Sequence, residues 1–234
     1  MGPARLMAAI FPLLVIVPVR SAHEADVLFL QPLGAGRLID PTLADAERQA
    51  ERGSVMLCLT TDDARVADHV GRRKAPWQIK RRDAAEAAHG YFAALRSALA
   101  WATERQGMPF GAVLILEPSH PFRPRGLIAN AIDMLERDAK LDSVVSVVRE
   151  YGNLWTADDR GQLHRVTTPI GRNFFREVAG LCLLTRPGTV AGADAMGKNV
   201  GFMVVEEQWA LIDIHGAEGV AMARRFHDLL AKSA

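Results

Sequence analysis

Cysteine is scarce in this chain: Cys58 and Cys182 are the two among 234 residues. Two thiols cannot build a disulfide framework or a four-cysteine zinc site, and both lie inside apolar runs, as small core residues do. Charge imbalance is missing too. Lys and Arg total 28 against 27 Asp and Glu, a net charge of +1, which leaves no electrostatic footprint for nucleic acid or an anionic membrane. Several chemical signatures are absent: Gly-x-Gly-x-x-Gly, the phosphate-loop Gly-Lys-Ser/Thr, Gly-x-Ser-x-Gly and His-Glu-x-x-His. Dinucleotide binding by the first, and the chemistries of the others, lose their sequence support. No internal repeat, low-complexity stretch or linker interrupts the chain. What is present is 49% hydrophobic, enough for a sizeable core.

Short apolar runs recur at 13–17, 55–59, 112–116, 143–148, 181–185 and 200–205. They are continuous rather than alternating, the pattern of strands covered on both faces of a largely parallel sheet. The first continues an apolar stretch, 6–19, that also resembles a signal-peptide core. Arg20 stands where a small residue would precede cleavage after Ala22, and Pro12 and Pro18 interrupt the run, so a buried first strand is the expectation. Helical spacing marks four segments. One is capped by Thr42 and stopped by Gly53, and one is a single long helix over 83–104. The others are a helix around 127–135 and a C-terminal helix around 220–230. The alternation predicts an α/β fold: a doubly wound, mostly parallel sheet with helices on both faces, in one domain over 1–234. Residues 1–12 are expected to form an extension.

Ligands of such sheets gather at the carboxyl ends of the strands. The segments to interrogate are therefore 18–29, 60–63, 117–123 and 213–215, each polar and following a strand-like run, with Arg172 and Arg176 standing just before another. Thr60-Thr61-Asp62-Asp63 can cap a helix or line a nucleotide pocket. Glu117-Pro118-Ser119-His120-Pro121-Phe122-Arg123 displays carboxylate, hydroxyl, imidazole and guanidinium on a turn stiffened by two prolines. Asp213 and His215, two apart, share one side of an extended segment, either as a hydrogen-bonded strand end or as ligands of a metal. Arg172 and Arg176 can grip an anion or form a solvated helix face.

Together these segments resemble the acylneuraminate cytidylyltransferase (CMP-sialic acid synthetase) family. The family's Ile-Pro-Ala-Arg is similar to Val17-Pro18-Val19-Arg20, and its Ser-Thr-Asp-Asp to Thr60 through Asp63. An Arg-Pro is similar to Arg81-Arg82, Leu-Gln-Pro-Thr-Ser-Pro-Leu-Arg to Leu116 through Arg123, and Asp-Ile-Asp to Asp213-Ile214-His215. The order holds over nearly the whole chain from about residue 13. The resemblance implies a nucleotide-diphospho-sugar transferase-like fold. It also implies a cytoplasmic, homodimeric enzyme that joins CTP to a nine-carbon 2-keto sugar acid, releasing pyrophosphate. By that resemblance Arg20 and Asp213 are catalytic, and Arg20, Thr61, Asp62 and Arg81 meet the nucleotide. Glu117, Ser119, His120, Arg123 and Arg172 meet the sugar acid, and Asp213 with His215 holds Mg²⁺ or Mn²⁺. The 149–176 segment is the expected dimer contact.

The chain departs from the family at the chemistry. Residues 21–30 contain no Gly and no Lys where the family cradles a triphosphate, and they add Glu24 and Asp26. Glu117 replaces a Gln, His120 a Ser and His215 an Asp. A catalytically inactive, cytidylyltransferase-like binding or regulatory relative that has lost its phosphate-binding loop is therefore the alternative expectation. Glu117, Asp213 and His215 also compose a candidate transition-metal site.

Overall fold

The computed structural model describes residues 9–20, 28–166, 173–192 and 195–233. The chain opens with β1 (Leu13–Val19), a small hairpin of β2 (Pro32–Leu33) and β3 (Gly36–Arg37), then α1 (Asp40–Ala50), β4 (Val55–Thr61) and α2 (Ala64–Gly71). It continues through β5 (Trp77–Arg81), α3 (Ala84–Ala88), α4 (Tyr91–Gln106), β6 (Ala112–Ile115), α5 (Leu127–Arg137) and β7 (Ser143–Glu150). A second hairpin of β8 (Trp155–Ala157) and β9 (Leu163–Arg165) follows, then β10 (Phe174–Glu177), β11 (Leu183–Thr185), α6 (Pro187–Val190), β12 (Val200–Val204) and α7 (Ala217–Ser233).

The main sheet runs β5-β4-β1-β6-β11-β7-β12, with β10 beside β7 in line with β11. The β1–β4, β1–β6, β4–β5 and β7–β12 pairs are parallel; β11 runs antiparallel between β6 and β7. All seven residues of β1 are buried at the centre of this sheet. Their alternation splits them between two cores. Leu13, Val15, Val17 and Val19 pack with residues of α1, α2 and α5, whereas Leu14 and Ile16 pack with Leu95, Ala98 and Ala102 of α4. A strand whose two faces both meet helices has no position left for a polar residue, which is why its sequence reads as an unbroken apolar run. Ile10, within the expected extension, is packed at 1% exposure.

Three local expectations are corrected. Thr42 does not cap α1: the helix starts two residues earlier, with Pro41 in its first turn, and Thr42 is wholly buried inside it. Proline's fixed φ and missing N–H suit a first helical turn, so the helix starts there without a hydroxyl cap. The single helix over 83–104 is two helices, because Gly90 takes φ +85° and breaks the ladder. Asp83 caps the first, its carboxylate accepting from Glu86 N at 2.8 Å. Arg176 lies on strand β10, not a helix, and pairs with Glu150 at 2.7 Å. Strand β5 carries no apolar run because it is the sheet edge, and Gln78, Lys80 and Arg81 suit that edge.

Candidate functional site

The carboxyl ends of β1, β4, β5 and β6 converge on one side of the sheet, as parallel pairing requires. A cavity of about 400 Å³ opens there, lined by Pro18, Arg20, Phe29, Arg82, Gly90, Tyr91, Glu117, Pro118, Ser119 and His215. On its β1–β5 side stand two guanidinium groups. Arg20 is exposed, whereas the Arg82 side chain is 5% exposed and donates through Nη2 to Val19 O at 2.5 Å. Asp62 Oδ1 lies 3.7 Å from Arg82 Nη2. Burial pulls Arg82 below the ordinary guanidinium range; the Asp62 charge opposes this and the like charge of Arg20 adds to it. Two neighbouring guanidinium groups at strand ends are ready to receive an anion.

On the β6 side the 117–123 turn is locked from within. Glu117 N donates to Gly180 O at 2.9 Å, and the loop carrying Gly180 is a bulge, 178–182, between β10 and β11. Arg123 ties the two together. Its Nε donates to Leu181 O (2.6 Å), its Nη2 to Glu117 O (2.6 Å) and Gly180 O (3.1 Å), and its Nη1 to Thr42 Oγ1 (2.8 Å). Asp45 Oδ2 stands 3.6 Å from Nη1, and the Arg123 side chain is 1% exposed. The whole fork is spent on protein acceptors, so the expected sugar-acid contact of Arg123 is replaced by a structural role. Asp45, buried beside it, has its carboxyl raised by desolvation against the opposing pull of Arg123 and Arg48.

Ser119 is 3% exposed, lines the cavity, and its Oγ has no hydrogen-bond partner among the described residues. Its carbonyl accepts from Ile214 N at 2.9 Å, and this bond fastens the Asp213–His215 segment to the turn. There His215 Nε2 lies 2.8 Å from Asp213 Oδ2, and His120 Nε2 lies 3.7 Å from Asp213 Oδ1. Burial holds His120 below the usual imidazole range, with Asp213 pulling the other way. Asp213 keeps 37% side-chain exposure and His215 75%, so both can meet a ligand. Among the described residues no three His, Cys, Asp or Glu side chains are grouped to hold a metal ion. The three-ligand site of Glu117, Asp213 and His215 is therefore not assembled. A single accessible carboxylate still fits Mg²⁺, which commonly takes one or two protein carboxylates and completes its shell with water and phosphate oxygens.

Other expected residues stand away from the cavity. Thr61 is wholly buried and its Oγ1 accepts from Asp63 N at 3.1 Å, which shapes the turn into α2. Arg81 is exposed at the end of β5 and does not line the cavity; its neighbour Arg82 does. Arg172 lies outside the described residues, as do residues 21–27 of the segment expected to meet phosphate. Sequence reasoning missed Tyr91, which lines the cavity with Glu117 and whose phenol is raised first by burial and then by the Glu117 charge. Its signal was the glycine before it, which breaks the long helical pattern at the cavity wall. A second, more open groove of about 900 Å³ runs between α1, the 121–126 segment and α7, flanked by Trp209 and Phe226.

No protein-family model and no curated protein matches the chain. Solved structures do match. One is CMP:2-keto-3-deoxy-manno-octonic acid synthetase complexed with CTP: TM-score 0.63, 12% identity, 95% of this chain and 99% of that one covered. Another is 4-diphosphocytidyl-2C-methyl-D-erythritol synthase from Anaerococcus prevotii, with TM-score 0.65, 11% identity and 92% and 96% coverage. A third is 2-C-methyl-D-erythritol 4-phosphate cytidylyltransferase from Thermus thermophilus, with TM-score 0.59, 16% identity and 91% and 98% coverage. Over almost its full length the chain therefore shares the fold of solved cytidylyltransferases.

Proposed function

We propose that the protein is a CTP-dependent cytidylyltransferase acting on a nine-carbon, sialic-acid-like 2-keto sugar acid. The observation that carries this reading is the pairing of Arg20 and Arg82 at the strand ends, across one cavity from Ser119 and His215. The shared fold with a CTP-bound synthetase of another 2-keto sugar acid supports it. In the reaction the anomeric hydroxyl attacks the α-phosphorus of CTP. A new O–P bond forms, the bond to pyrophosphate breaks, and the hydroxyl proton passes to solvent. Arg20 and Arg82 draw the phosphates toward the β1–β5 side and oppose the charge growing on the leaving group. Ser119 offers its unpaired hydroxyl to the sugar acid, and the rigid turn holds that hydroxyl still. Mg²⁺, or Mn²⁺, would be held by Asp213 with His215 beside it, supplying charge neutralisation and a template for the phosphates. A homodimer joined through 149–176 and a cytoplasmic location complete the proposal.

Residues 21–30, with two acids and no Lys or Gly, favour a second reading: a relative that binds a ligand at this site without transfer. The test is pyrophosphate release from CTP with Mg²⁺ or Mn²⁺ over a panel of nonulosonic acids. Sugar-dependent release that falls at least about 100-fold in Asp213→Ala is expected, in line with the loss of one electrostatic stabiliser. No release with any sugar and either metal would overturn transfer in favour of the binding relative.

A further inference from the structure

Glu117 brings a negative charge into a chamber that, on the proposed reading, receives phosphates and a sugar carboxylate. Its position is set by the fold. The backbone N–H is bonded to Gly180, the carbonyl to Arg123, and the carboxyl group packs on Gly180 so closely that a methyl group there would lie 3.0 Å from its Cδ. Among the described residues no Lys, Arg or His side chain stands within 4.0 Å ion-pair distance of its carboxylate. Tyr91 lines the same cavity, and its phenol is pushed above its ordinary range, first by burial and then by the Glu117 charge. Tyr91 therefore stays protonated beside the carboxylate and does not neutralise it.

A carboxylate is an acceptor only, so whatever the ligand places against it must donate. A neutral hydroxyl satisfies that geometry but leaves the charge opposed only from beyond ion-pair distance, by arginines such as the buried Arg123, while the bound anions repel it. A cationic donor satisfies both demands, and charge-assisted hydrogen bonds are roughly twice as strong as neutral ones. Resting on the transfer reading for the identity of the other substrate, we infer that the sugar acid carries a free, protonated amino group that is received by Glu117. Arg20 and Arg82 line the same cavity and are left to its anionic partners.

The test compares two nine-carbon 2-keto sugar acids that differ at one carbon, amine against hydroxyl, by calorimetric binding and, where turnover occurs, by kcat/KM. The wild type is expected to favour the amine at least tenfold. Glu117→Gln is expected to bring the ratio to about one while its melting temperature stays unchanged. Equal binding, a preference for the hydroxyl, or no binding of either acid overturns the inference, as does loss of metal dependence in Glu117→Gln with the ratio intact. Pyrophosphate release is scored separately. An amine preference without release sinks the transfer reading alone, and release without the preference sinks this inference alone.

Discussion

Replacing Arg123 by alanine is expected to cost stability rather than substrate affinity. Four hydrogen-bond acceptors and the Asp45 carboxylate, on three separate segments, would lose a buried donor, and removing one member of such a network costs about 3–5 kcal/mol. Urea denaturation of Arg123→Ala against wild type measures it. Arg20→Ala is the contrasting case. Arg20 is exposed, so the melting curve should stay within about 0.5 kcal/mol of wild type, while KM for CTP rises. Both arginines stand out in the sequence as chemically capable, and both follow a buried strand. What separates them is which acceptors the fold brings within reach, and those come from positions 42, 45, 117, 180 and 181. Such long-range meetings leave no trace in local spacing. The same holds for Arg81 and Arg82: two adjacent basic residues look equivalent until strand direction sends one outward and the other to Val19.

Between elements, the tie that joins α1 to the segment after α2 and to β5 is ionic. Arg73 donates from Nε to Glu47 Oε1 (2.6 Å) and from Nη2 to Oε2 (2.8 Å), and Trp77 Nε1 donates to Oε1 at 2.8 Å. The bidentate Arg73 bond, opposed by partial burial and aided by Trp77, holds the Glu47 carboxyl below its ordinary 4.5. Its folded-state proton affinity is thus the lower one, so the stabilisation is present above about pH 4.5 and is lost as pH falls through the depressed value. Glu47→Gln should therefore cost about 1.5–3 kcal/mol at pH 7, and the gap should narrow in urea titrations at pH 4 and below. Helices and strands with a strong apolar period were legible in sequence to within a few residues. β5 and β10 were not, because a polar edge strand presents little apolar contrast and is defined by its neighbours. The break at Gly90 was also hidden, since the alanines and leucines on either side keep a helical rhythm through it.

For the molecule as a whole, the mostly parallel α/β sheet follows from how many buried runs alternate with helices, and it is shared with the solved cytidylyltransferases. The antiparallel insertion of β11 could not be read, since a short buried strand has the same composition in either direction. Ligand linkage is a whole-molecule observable. If CTP with Mg²⁺ binds the folded chain alone, a concentration of 100 times its dissociation constant should add about 2.7 kcal/mol, seen as a rise in melting temperature that shrinks in Asp213→Ala. The proposed dimer is tested by sedimentation. Trp155 and Leu163 on the β8–β9 hairpin are 59% and 63% exposed, and the double change to Asp should shift a dimer to monomer without lowering CTP-independent stability. The central place of β1 has a consequence during synthesis. Its partner β6 begins about a hundred residues later, at Ala112 against Leu13. At roughly 5–20 residues per second that is a wait of about 5–20 seconds. Throughout it the most apolar strand of the nascent chain has one edge unpaired, which makes this interval the one in which a ribosome-associated chaperone matters most to yield.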